Sequence, residues 1–182
     1  MRRYLGPMSA DRESFVRTRL QSLRIIAGSL IGALVIFAVV AVVVLGLEEY
    51  PSPVTAAALF AINVAAFVVV EVVGYRTPAV PRDADEDTAL RIGLDALQQT
   101  TITRFAIIEA PALLSLAWAF TTGSAWAYLV GGFWALLSMA WHVWPTRRIA
   151  ARLERSLDRE GGRSRLSEVV GGDASTPGVQ QY

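Results

Sequence analysis

Four apolar stretches, each about 20 residues long, constrain the fold of this chain more than any other feature of its sequence. They cover residues 25–47, 54–74, 102–120 and 125–144. An α-helix needs about 20 apolar residues to cross roughly 30 Å of hydrocarbon, so each stretch is long enough to span a membrane. With 53% hydrophobic residues, the composition also lies outside the usual range of soluble domains. The sequence therefore predicts an all-α membrane protein, a four-transmembrane-helix bundle made of two helical hairpins.

All 17 basic residues are arginines, and their uneven distribution predicts the orientation of the chain. Six precede the first stretch, four lie from Arg76 to Arg104, and seven follow the last stretch. Because arginines in short flanking segments stay on the cytoplasmic side, both termini are expected in the cytoplasm. The use of arginine without lysine indicates a GC-rich genome, and the expected location is the bacterial inner (plasma) membrane. The cytoplasmic arginines are expected to contact anionic lipid headgroups.

The same pattern divides the chain into six segments. They are a cytoplasmic N-terminal segment with an amphipathic lead-in (1–24), the first transmembrane hairpin (25–74), a cytoplasmic loop with a short amphipathic helix (75–101), the second transmembrane hairpin (102–144), an amphipathic cytoplasmic helix (145–160) and a tail (161–182). The tail is rich in glycine, serine and proline, and it is predicted to be disordered. The loop helix either lies on the membrane surface or extends the third stretch inward.

Small residues recur at four-residue spacing in three of the four stretches. Lipid tails give helices little hydrophobic reason to associate, so close helix contacts in membranes depend on such smooth faces. We interpret these faces as contacts within one bundle; the alternative is self-association of chains through the first stretch. The residues are Gly28 and Gly32 in the first stretch, Ala57, Ala61 and Ala65 in the second, and Gly131 and Ala135 in the fourth.

Glu109 is the strongest candidate for a functional residue, because it lies inside the third stretch. Seven residues of helix place it about 10 Å from the inner boundary. An ionisable residue within the membrane costs about 2.5–3.5 kcal/mol on insertion scales, so it needs a partner or a role. Pro111 donates no amide hydrogen, which frees the carbonyl of Ile107 and favours a bend there. A proton or cation site and a purely structural hydrogen bond both fit this arrangement.

Three further polar residues fall at a similar depth on the cytoplasmic half. Glu71 ends the second stretch, His142 lies near the end of the fourth, and Arg104 opens the third. If these faces converge, the three residues and Glu109 form a polar layer in the inner leaflet. The alternative is that Glu71 and His142 reach toward the headgroups while Arg104 pairs with lipid phosphate.

The motifs of common enzymes are missing from the sequence. There is no cysteine and one histidine, which excludes thiolate sites and histidine metal clusters. No phosphate-binding glycine loop, nucleophilic serine elbow or HExxH pattern occurs. Acidic residues alternate with arginines after residue 145, which argues against nucleic-acid binding. We therefore expect no enzyme activity, no cofactor, no metal and no nucleic-acid partner.

Two resemblances accompany these residues. The run from Arg104 to Leu114, with Glu109 and Pro111, resembles the carboxyl-bearing helix of ATP synthase proteolipid (c) subunits over about 12 residues. That resemblance implies a protonatable role for Glu109, although the glycine-repeat helix of the family is missing. The whole chain, especially the exit from Trp144 to Arg148, resembles small uncharacterised four-span integral membrane proteins of GC-rich bacteria, which imply no activity.

Together these observations predict a non-enzymatic integral membrane protein that acts as a structural, accessory or assembly component. Its expected partners are the lipid bilayer and either further copies of itself or another membrane protein. The alternative is a protein that handles protons or cations through Glu109, with Glu71 and His142 as further candidates. Four spans make a poor pore, so ion handling would require an oligomer.

Overall fold

The computed structural model describes residues 10–172, with side chains from residue 14 to residue 171. This part of the chain is helical and contains no strand, which confirms the prediction of an all-α protein. Predictions made for residues 1–9 and 173–182 lie outside the described residues. The helices are α1 (Ala10–Leu45), α2 (Pro53–Val73), α3 (Glu86–Thr122), α4 (Ala125–His142), α5 (Arg147–Leu157) and α6 (Leu166–Gly172), with a 3₁₀ turn at Asp158–Glu160 after α5.

Local sequence signals set the helix ends. Ser52 caps α2 by accepting a hydrogen bond from the amide of Thr55, and Pro53 occupies the first helical position, where no amide hydrogen is needed. Asp85 caps α3 by accepting from the amides of Asp87 and Thr88. Helix α3 ends at Gly123, which has φ +72°, a conformation that glycine adopts without strain.

Helices α1 and α3 are longer than the apolar stretches they contain. Helix α1 includes the amphipathic lead-in without interruption. Helix α3 includes both the predicted loop helix and the third stretch, so the loop helix extends the third stretch inward. Arg19 joins the two extensions, through an ion pair with Asp95 at 3.4 Å and a hydrogen bond to Gln98 at 3.1 Å.

Helix α4 contacts each of α1, α2 and α3 and lies at the centre of the packing. The tight turn at Gly123 returns α4 antiparallel along α3. Helices α1 and α2 each pack against both α3 and α4. Tyr128 of α4 is buried and donates its hydroxyl to the carbonyl of Leu34 in α1 at 2.8 Å. We use the term arginine-rich end for the end of this packing where α2 and α4 terminate.

Within the described part of the chain, three helices are long and apolar enough to cross a membrane: α1 from Ser14, α2 and α3. Their outward faces carry apolar side chains that the other helices leave exposed, including Val43 at 77% exposure and Val54 at 79%. Helix α4 is not among the three, because its 18 residues include three tryptophans and His142, which lower its hydropathy.

Helices α5 and α6 form a small unit at the arginine-rich end. Leu153 and Leu157 of α5 and Leu166 of α6 are fully buried, and both helices contact the first turns of α3. The predicted disordered tail is therefore corrected for residues 161–172, because the apolar residues Leu166 and Val170 provide a buried face despite the glycine-rich composition. The carbonyl of Leu157 also accepts a hydrogen bond from the amide of Val80 at 2.8 Å.

The small-residue faces differ in what they contact. Gly131 and Ala135 of α4 are buried, and a Cβ on Gly131 would lie 2.5 Å from Cβ of Ser115 in α3. Internal packing is wrong for the other two faces, which lie on outer sides of α1 and α2. A Cβ on Gly28 or Gly32 would meet nothing within 4 Å. The three alanines on α2 are exposed: Ala57, Ala61 and Ala65.

Candidate functional site

Five polar side chains from four helical segments meet at the arginine-rich end. We call this group the polar cluster, and its members are Glu71, Tyr75, Arg104, His142 and Arg152. The antiparallel register of α3 and α4 accounts for part of this meeting. Eleven residues separate Arg104 from Ser115 on α3, and eleven separate Gly131 from His142 on α4. The contact between Ser115 and Gly131 therefore places Arg104 and His142 at one level.

Tyr75, in the turn after α2, is the centre of the polar cluster. Its hydroxyl lies 2.9 Å from Nδ1 of the fully buried His142. Two guanidinium groups lie near its ring, with Cζ of Arg104 at 4.7 Å and Cζ of Arg152 at 4.1 Å from the centroid. Both distances fall within the range of cation–π attraction.

Glu71 joins α2 to α5 and approaches α4. Its Oε2 atom lies 2.5 Å from Nη2 of Arg152, and its Oε1 atom lies 3.6 Å from Nε2 of His142. The hydrogen bond from Arg152 to Glu71 raises the pKa of Arg152, which therefore stays charged. When Tyr75 donates to Nδ1 of His142, the imidazole proton is on Nε2 and points toward Glu71.

Arg104 is the most deeply buried charge in the described part of the chain, with no exposed side-chain surface. Its Nε atom donates to the carbonyl of Thr100 at 3.0 Å, and Nη2 donates to Oγ1 of Thr101 at 3.0 Å. Gly74 allows this placement, because a Cβ there would lie 2.6 Å from Cγ of Arg104. The Nη1 atom of Arg104 is buried without a hydrogen-bond partner in the described structure.

Arginines also cover the carbonyl ends of α2 and α4. The last carbonyls of a helix lack intrahelical partners, and the helix dipole makes that end negative. Arg76 donates to the carbonyl of Val72 at 3.1 Å, and Arg152 donates to the carbonyl of Glu71 at 3.2 Å. Arg148 donates to the carbonyl of Trp141 at 2.7 Å. Helix α5 therefore holds the ends of two other helices through its own arginines.

The sequence-predicted polar residues separate into two groups. Glu71, Arg104 and His142 lie together, and the full burial of His142 excludes its reaching outward to headgroups. Glu109 is half-buried on α3 and does not join them: no hydrogen bond or ion pair connects it to any residue in the range 10–172. Pro111 is buried, and its carbonyl accepts a hydrogen bond from Ser115 at 2.7 Å.

Sequence reasoning missed two members of the polar cluster, Tyr75 and Arg152. Tyr75 follows Glu71 by four residues, a spacing that places two side chains on one helical face. That signal was available in the sequence. Arg152 is one of several arginines on α5, and no local pattern identifies it as the partner of Glu71. Its role follows from the way α5 folds back onto α2.

Among the residues that the structure describes, no three histidine, aspartate or glutamate side chains group as metal ligands. Comparison with protein families, with curated proteins and with solved structures found no match.

Proposed function

We propose that this chain is a four-span integral membrane protein of the bacterial plasma membrane, with both termini in the cytoplasm. It serves without catalysis as a structural, accessory or assembly component. The observation that carries this proposal is the adjacency of two surfaces. Exposed apolar faces on α1, α2 and α3 adjoin an ordered, arginine-bearing unit made of α5 and α6.

Helix α4 supplies the fourth span in this proposal. A turn at Gly123 returns it along α3, so a crossing by α3 requires a return crossing by α4. Its 18 residues give a length of about 27 Å, close to the thickness of the hydrocarbon core. Helix α4 packs against three other helices, and the face that it leaves outward carries the apolar side chains Phe133, Leu137 and Trp141, which suit contact with lipid.

The cytoplasmic placement of the arginine-rich end rests on the positive-inside rule. The ends of α2 and α4, the start of α3 and all of α5 lie there, together with the arginines described above. The connections at the opposite end contain no arginine. Trp126 is at that end, where it stacks on Tyr50 with ring centroids 4.6 Å apart, as expected at a membrane interface.

The α5–α6 unit is suited to binding because two of its four acids, Glu154 and Asp158, face inward and several arginines face outward. The other two acids, Glu160 and Glu168, are exposed, and Glu160 pairs with Arg159 at 3.7 Å. Glu154 accepts from the amide of Ser167, and Asp158 accepts from the amide of Ser164, so both carboxylates hold α6. The exposed arginines of this unit include Arg155, Arg159 and Arg163. We propose that they contact anionic lipid headgroups or an acidic surface of a membrane-protein partner.

The orientation is tested by labelling single cysteines, for which the cysteine-free chain is a clean background. Ser52→Cys and Thr121→Cys should react with a membrane-impermeant maleimide added outside intact cells. Asp83→Cys should react only in inverted vesicles. All three positions are exposed, so accessibility reports the side of the membrane. Labelling of Asp83→Cys from outside would contradict the proposed orientation.

The accessory role is tested by restoring a deletion strain with variants of the chain. Glu109→Gln should restore function, because Glu109 makes no hydrogen bond or ion pair with the described residues and the amide has nearly the same size and shape. Combined Arg155→Gln, Arg159→Gln and Arg163→Gln should not restore it, although these exposed changes leave the α5–α6 contacts intact. Western blotting of membranes checks that the variants accumulate equally. The reverse pattern would reject the accessory role and favour ion handling at Glu109.

A further inference from the structure

The polar cluster contains an unbalanced positive charge. Arg104 and Arg152 bring two positive charges, and Glu71 brings one negative charge, which Arg152 already binds. No carboxylate of the described residues pairs with Arg104, whose hydrogen bonds go to the neutral oxygens of Thr100 and Thr101. Arg152 repels Arg104, because both carry the same charge. The cluster therefore has a net charge of plus one before His142 is considered.

Arg104 cannot remove this unbalanced charge by losing its proton. A guanidinium stays protonated in proteins, and burying a charge without a counter-charge is unfavourable. Attraction to the Tyr75 ring offsets part of the cost. The unsatisfied donor of this guanidinium is Nη1, which is buried and lacks an acceptor.

A second buried nitrogen in the cluster also lacks a hydrogen-bond partner. Nε2 of His142 makes no hydrogen bond within the described structure and lies 3.6 Å from Glu71, beyond ordinary hydrogen-bond length. Nδ1 of the same ring is bound to Tyr75, which itself contacts Arg104. Two fully buried nitrogens thus share one aromatic neighbour, and both lack a hydrogen-bond partner in the described structure.

We propose that the polar cluster binds one small, singly charged anion at Nη1 of Arg104, either a halide or a small carboxylate. One negative charge balances the cluster, and an anion accepts the hydrogen bonds that Nη1 can donate. Small size follows from burial, because Nη1 lies within the packed helices and Arg104 has no exposed surface. Complete burial of Arg104 excludes a lipid phosphate, whose glycerol and acyl chains remain outside the packed helices.

Arg152 forms the cover of this site. It lies over the Tyr75 ring and is about one-third exposed, with its side chain at 35%. Movement of this one side chain opens a path from the arginine-rich end, and its positive charge attracts the anion toward Arg104. The proposal concerns a ligand that the accessory role does not require, and it does not depend on the orientation of the chain.

The test uses the full-length protein in detergent micelles at constant ionic strength, with gluconate as the large replacement anion. Equilibrium dialysis with radioactive chloride should find about one saturable chloride per wild-type chain. Chloride, bromide and formate should each raise the thermal unfolding midpoint in a saturable manner, whereas gluconate should not. Formate acting without chloride or bromide would identify a carboxylate as the ligand.

Arg104→Gln should lose both the bound chloride and the anion-dependent stabilisation. Arg76→Gln is the matched control, because Arg76 is an exposed arginine in the same region and should retain both. If Arg104→Gln fails to fold, the wild-type measurements still decide the question. Equal midpoints in chloride, formate and gluconate, without bound chloride, would overturn the proposal. Stabilisation by anionic lipid alone would also overturn it and assign Arg104 to a lipid phosphate.

Discussion

At the scale of single residues, the ion pair between Glu71 and Arg152 shows how solvent exposure limits an electrostatic contribution. Both side chains are about one-third exposed, at 32% and 35%, so water screens their attraction. A double-mutant cycle of Glu71→Gln and Arg152→Gln should give a coupling free energy of about 0.5–1 kcal/mol. Reversible unfolding in mixed micelles measures it. A coupling near zero would mean that the contact orients α5 without stabilising the fold.

Gly131 and Gly32 are matched glycines with opposite surroundings. Gly131→Ala should destabilise the fold by about 1–3 kcal/mol, because the new methyl group overlaps Ser115 and separates α3 from α4. Gly32→Ala should change stability by less than about 0.5 kcal/mol, since its surroundings are open. Unfolding midpoints in detergent compare the two variants. Adding Ser115→Gly should restore part of the loss caused by Gly131→Ala, and no restoration would contradict the assigned overlap.

At the scale of helices, the start of α3 should depend on pH through its cap. Hydrogen bonds from the amide and hydroxyl of Thr88, and from the amide of Asp87, lower the pKa of Asp85 from its usual value of 3.8. A lowered folded-state pKa means that the cap stabilises the helix above pH 3.8 and that this contribution disappears as the pH falls through the folded-state pKa. Protection factors for the amides of residues 87–90 should fall accordingly.

Two variants separate the charge of Asp85 from its hydrogen bonds. Asp85→Asn should keep the cap and lose the acid dependence, because asparagine is also a good capping residue. Asp85→Ala should lower protection in the first turn at every pH. Hydrogen exchange followed by mass spectrometry resolves this segment, and unchanged protection in Asp85→Ala would show that packing against the neighbouring helices maintains the start of α3 without the cap.

At the scale of the whole molecule, the sequence predicts what periodicity and charge determine and misses what depends on long-range contacts. Hydrophobic length was sufficient for the helical class. The meeting of Glu71, Arg104 and His142 was one of two alternatives that the sequence left open, and Glu109, which that alternative included, lies apart from them. Spacing alone did not reveal whether a small-residue face points inward, so Gly28 and Gly32 were misassigned while Gly131 lies in a close contact. The glycine-rich composition of residues 161–172 favoured disorder, whereas the buried side chains of Leu166 and Val170 account for the order of this segment.

The division into an apolar packing of α1–α4 and a smaller α5–α6 unit predicts two stages of unfolding. Leu153, Leu157 and Leu166 are buried against helices that face water in the proposed orientation, so urea can solvate this unit. Helices within the bilayer cannot unfold into aqueous urea in this way, and unfolding there would leave unpaired backbone groups in hydrocarbon, which is costly. In lipid vesicles with increasing urea, the amides of α5 and α6 should lose protection before those of α2 and α4. Simultaneous loss in a single transition would contradict this division and would mean that contacts through Arg152 and Tyr75 couple the two parts.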